Sequence, residues 1–118
     1  MEKLTKEQIL EGNQLIAEFL GGSVDNKTFF YGKNKNYNDE IELKIYNINN
    51  AKFHSDWNWI MPVVERIEAS SGNFVICLNT CEINVGKFDC YLIEADSKIE
   101  AVWLAVIEFI KWYNENGN

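Results

Sequence analysis

Residues 97–118, SKIEAVWLAVIEFIKWYNENGN, hold the segment on which the architecture turns. Ser97 and Glu100 have the spacing of a capping box, in which each side chain satisfies a free backbone N–H of the first turn, so a helix starts here. On a helical wheel Glu100, Glu108, Lys111 and Glu115 share one narrow stripe with Leu104 between them. Ile99, Val102, Trp103, Val106, Ile107, Phe109, Ile110, Trp112 and Tyr113 cover most of the remaining circumference. A helix resting on one sheet needs a narrower apolar face. This helix must therefore pack between a sheet and a neighbour, either another helix of the chain or a second copy in a homodimer through 97–114.

The preceding stretch, NFVICLNTCEINVGKFDCYLIEA (73–95), supplies the sheet. It reads as two antiparallel strands joined at Val85-Gly86-Lys87, rich in β-branched and aromatic residues, with a bulge at Asn79-Thr80. Further back, IELKIYNI (41–48) alternates Ile41, Leu43 and Ile45 with Glu42 and Lys44, the period of a half-buried edge strand. LTKEQILEGNQLIAEFLGG (4–22) opens with a Thr5–Gln8 capping box and a Leu4/Ile9 staple, and Gly21-Gly22 ends it. The asparagine- and lysine-rich residues 23–40 read as a polar exposed loop. The expected fold is α+β in the order α-β-α-β-β-α: a small antiparallel sheet of about three strands packed by three helices.

A chain of 118 residues, 47% hydrophobic and 14% aromatic with one proline, can bury one core but not two, so residues 1–118 are expected to form a single domain. Eighteen acidic residues against eleven basic give a net charge of −7, which repels nucleic-acid phosphates and anionic membranes. MEKLTKEQIL lacks the apolar core of a secretory signal, and no apolar run is long enough to span a bilayer. Three cysteines, Cys77, Cys81 and Cys90, suit a reducing cytoplasm better than a disulfide framework. With His54 they lack the tight Cys pairs of structural zinc sites, so no metal is expected. Neither G-x-G-x-x-G, nor G-x-x-x-x-G-K-[ST], nor a G-x-S-x-G elbow is present, and no cofactor is expected.

FHSDWNWIMPVVERIE (53–68) gathers the chain's only histidine, arginine and proline and two of its four tryptophans. Ser55 or Asp56 caps a helix running to about Ala69. With Trp57 as origin, Ile60, Met61, Val64 and Ile67 share its face, while Trp59, Val63 and Arg66 lie nearly opposite. One reading puts Trp57 in the core and makes Trp59 a platform beside the Arg66 guanidinium, with His54 at the helix entrance, a constellation suited to a nucleotide. The competing reading is packing: Pro62 bends the helix, both indoles turn inward, and Arg66 forms a surface ion pair.

Taken with 97–116, this segment resembles a group of small proteins of bacteriophages and prophages described as a phage α/β/α sandwich domain, through Trp-x-Trp-x-Met-Pro-Val-Val at 57–64, the closing helix and, more weakly, LIAEFLGG at 15–22. The resemblance implies a fold and a viral origin, and it transfers no catalytic residue. Three functions follow as expectations: a non-enzymatic anti-defence protein sequestering a nucleotide immune signal at His54, Trp59 and Arg66; an acidic protein that docks on and inhibits a host factor; and a small nucleotide-processing enzyme dependent on His54.

Overall fold

The computed structural model describes residues 4–21, 28–35, 41–70, 72–85 and 89–116. Its elements are helix α1 (Lys6–Phe19), strands β1 (Thr28–Lys35) and β2 (Ile41–Asn47), a short 3-10 turn (Ile48–Asn50), helix α2 (Trp57–Ser70), strands β3 (Gly72–Cys77), β4 (Thr80–Val85) and β5 (Asp89–Glu94), and helix α3 (Lys98–Asn116). The class is α+β: three helices, a three-stranded antiparallel sheet ordered β3-β4-β5, and an antiparallel β1-β2 hairpin.

The helix termini follow their local chemistry. Thr5 accepts from the Gln8 N–H at 3.1 Å while the Gln8 side chain accepts from the Thr5 N–H at 2.8 Å. Gly21, at φ +92, takes the left-handed conformation that ends α1 at little steric cost. Asp56 caps α2 by accepting from the Asn58 N–H at 2.8 Å. At α3 Ser97 accepts from the Glu100 N–H at 3.2 Å, and the Glu100 carboxylate reaches back to the Asp96 N–H at 3.1 Å.

α3 is the centre of the molecule. One side lies on β4 and β5, and its other sides meet α1 and α2. Val102, Trp103, Val106, Phe109 and Ile110 are all buried within the chain, while Ile99, Trp112 and Tyr113 are half-buried. The sheet alternates as a one-sided sheet should: Cys81, Ile83 and Val85 of β4 point into the core, and Val75 and Leu92 face outward. α1 comes close to α3 at Gly12, where a Cβ would clash with the edge of the Trp103 ring and lie 2.6 Å from Ile107 Cδ1.

Two expectations need correction. Within the stretch 23–40, expected as exposed loop, residues 28–35 form β1, which pairs with β2 from Thr28↔Asn47 to Lys35↔Ile41 around an irregularity between Gly32 and Asn34. The lysines and asparagine of its second half hid a strand whose first half, Phe29-Phe30-Tyr31, is aromatic and which pairs with β2 along one edge. At 78–79 the chain turns back instead of bulging, because Cys77 pairs with Thr80 and β3 and β4 are separate strands. Leu78 makes that turn at φ 47, uncommon for a bulky residue, and the Thr80 hydroxyl donates to the Cys77 carbonyl at 2.8 Å. Asn79 fastens the turn to the end of β5: its side chain donates to the Ala95 carbonyl at 2.8 Å, and its own carbonyl accepts from the Ala95 N–H.

Candidate functional site

The nucleotide platform expected from Trp59 and Arg66 is not assembled. Trp59 is 3% exposed and Trp57 39%, the reverse of the assignment in the platform reading, while the packing reading holds for Trp59 and not for Trp57. Trp59 is enclosed edge-on by Tyr46, at 4.8 Å between ring centroids, and by Phe53, at 5.1 Å. The buried arc of α2 comprises Trp59, Ile60, Val63, Val64 and Ile67, so Trp57 falls at its margin. Arg66 is exposed and lies over the Phe19 ring at 5.7 Å. It borders a concavity of about 290 Å³ with Leu15, Glu18, Tyr113 and Asn114. At 1.5 Å per residue Arg66 is about 14 Å along the helix axis from Trp57, far from the helix start that carries His54.

His54, by contrast, is the hub of a site. It borders two concavities, one of about 320 Å³ against α1 and one of about 660 Å³ against the end of β2 and the start of α2. Both are also lined by Asn49 and Ala51. The smaller adds Lys6, Ile9, Leu10, Asn13 and Ile48; the larger adds Tyr46, Asn50, Lys52, Ser55 and Trp59. No aspartate or glutamate lines either concavity among the described residues.

The back of the site is a buried hydrogen-bond network. Asn13, 2% exposed, accepts from Trp103 Nε1 at 2.9 Å, donates to the Ala51 carbonyl at 3.3 Å and meets His54 Nδ1 at 3.1 Å. The His54 and Trp103 rings are edge-on, 6.3 Å apart. Gly12 permits this arrangement, since without a Cβ the α1 backbone rests on the Trp103 ring and brings Asn13 level with its N–H. Burial pushes the His54 imidazole below its ordinary value, which favours the neutral form.

Sequence reasoning identified His54 and missed Asn13, Trp103, Lys6, Lys52 and Asn49. Asn13 left a trace: it precedes the buried Ile16 and Ala17 by helical spacing, and a polar residue on an apolar face asks for a partner. Lys6, Lys52 and Asn49 left none, being brought together only by the chain's return past α1.

The cysteines form no site. Cys81 is buried on the inner sheet face, where its thiol is pushed up to about 11, and Cys77 and Cys90 are exposed. The Cys90 thiol donates to the Glu82 carboxylate at 2.9 Å, which raises its pKa. Among the described residues no group of three or more His, Cys, Asp or Glu could hold a metal ion, and no helix is long and apolar enough to cross a membrane. The chain matches no protein-family model, no curated protein and no solved structure.

Proposed function

We propose that the protein works by binding a small phosphate-bearing ligand, a nucleotide in the fullest form, in the paired concavities that share His54. One observation carries this: in a chain with a net charge of −7, the described lining of these concavities has two lysines and no carboxylate. An anion is drawn to such a local reversal of sign and repelled from most of the remaining surface. Lys6, Lys52 and the amides of Asn49 and Asn50 supply donors, and Tyr46 offers a ring to a planar base. The biological role we attach to it is sequestration, without turnover, of a nucleotide signal of bacterial immunity in the cytoplasm.

Calorimetry against inorganic phosphate, AMP and cyclic nucleotides tests this. Saturable binding is expected, weakened several-fold or more by Lys6→Glu with Lys52→Glu and unchanged by Arg66→Ala. A flat response to every ligand, or loss of binding in Arg66→Ala, contradicts it.

A second reading, docking on a host protein, draws on a different surface. Val75, Leu78 and Leu92 are 49%, 77% and 71% exposed, with Val75 and Leu92 flanking Glu82 across the outer sheet face. On that reading Val75→Lys with Leu92→Lys abolishes complex formation and leaves anion binding untouched.

A further inference from the structure

We infer that His54 is the specificity-determining residue of this cleft: a neutral imidazole held by Asn13 in the Nε2–H tautomer, it donates to an anionic oxygen of the ligand and offers a metal ion no lone pair. The inference rests on the binding function proposed above and adds to it the atom that selects the ligand.

The tautomer follows from the donor inventory. An indole N–H can only donate, so the atom of Asn13 that Trp103 Nε1 reaches at 2.9 Å is the amide oxygen. The amide nitrogen then faces the Ala51 carbonyl at 3.3 Å and His54 Nδ1 at 3.1 Å. That nitrogen can only donate, which makes Nδ1 the acceptor and places the imidazole proton on Nε2. Protonating Nδ1 as well would set two donors face to face. Rotating the Asn13 amide would relieve that contact only by breaking its bonds to Trp103 and Ala51, both nearly fully buried.

The other ring nitrogen is available to a ligand. Among the described residues Nε2 has no hydrogen-bond partner, and no buried side-chain nitrogen or oxygen is left unpaired, so Nε2 reaches solvent. Lys6 on α1 lines one of the two concavities that His54 borders, and Lys52 before α2 lines the other. The cleft therefore presents an N–H donor together with one lysine in each concavity, a set matched to phosphoryl or carboxylate oxygens. With its proton fixed, Nε2 cannot act as a general base, which separates this role from the His54-dependent enzyme.

Because His54 is the only histidine, NMR of the full chain carrying isotope-labelled histidine reports this one ring. Near neutral pH the free protein is expected to show Nε2 protonated and Nδ1 bare. Inorganic phosphate and AMP should shift the Nε2–H signal without changing the tautomer, and equimolar zinc chloride should leave the ring unperturbed. Asn13→Asp, whose carboxylate can only accept, should move the proton to Nδ1 and let zinc reach Nε2. An Nδ1–H tautomer or an imidazolium in the wild type, capture of zinc by the wild-type ring, or an anion that binds without moving Nε2 each overturns the inference. Should Asn13→Asp fail to fold, the wild-type spectrum and titrations still decide. The stated tautomer with no response to any anion leaves the proton placement standing and overturns the binding function itself.

Discussion

Replacing Asn13 by leucine tests the network that joins α1, α3 and the segment before α2. The side chains are similar in size, so the change removes hydrogen bonding with little change in volume. It leaves Trp103 Nε1 and the Ala51 carbonyl without partners in residues 1% and 4% exposed. A buried polar group left unpaired costs about 1–3 kcal/mol, so the two together cost about 2–6 kcal/mol. His54 adds less, since its ring reaches solvent. Against a domain stability of about 5–15 kcal/mol this is a large fraction, and urea denaturation should show the midpoint lowered by roughly 1–3 M. Trp103→Phe removes the donor while keeping a ring against Gly12. The Asn13→Leu/Trp103→Phe double variant should therefore cost less than the two single variants summed, by about 1 kcal/mol or more. Stability of Asn13→Leu within about 0.5 kcal/mol of wild type, or strict additivity in the cycle, refutes the reasoning.

Three further outcomes are expected. Gly12→Ala should destabilise by about 1–3 kcal/mol despite the better helix propensity of alanine, because its Cβ meets Trp103 and Ile107; thermal unfolding checks the sign. Trp59→Ala should cost about 3–5 kcal/mol in chemical denaturation while Trp57→Ala costs far less, and equal costs would contradict the placement of the two indoles. Stability should also depend on pH through His54: its native value lies below the 6.5 of the unfolded chain, so on acidification the unfolded state takes the proton first. That contribution is complete above 6.5 and is lost as pH falls from there through the lower native value, and His54→Gln should lack this part of the slope.

The parts of the fold legible in the sequence are those written in local patterns. The Thr5–Gln8 and Ser97–Glu100 spacings marked helix starts, and the breadth of the apolar face on α3 implied cover on more than one side, which the sheet, α1 and α2 provide. What stayed hidden depended on residues distant in the chain. The Leu78-Asn79 turn has no glycine at its positive-φ position, so the signal at Asn79-Thr80 read as a bulge in one strand and not as a turn between β3 and β4. On α2 the two tryptophans bracket one broad apolar arc, and periodicity alone cannot say which is covered. Tyr46 and Phe53 decide it by closing over Trp59. The candidate site was legible only as His54; its buried partner lies 41 residues away, and the lysines of the two concavities come from α1 and from the segment before α2.

The most direct test of the account is a map of backbone amide shifts on titrating the full chain with AMP. The account predicts shifts concentrated at Lys6, Asn49, Ala51, Lys52 and His54, saturating together, with little change around Leu15, Phe19, Arg66 and Tyr113. Shifts centred on Arg66, or no shift at any concentration reached, would contradict it.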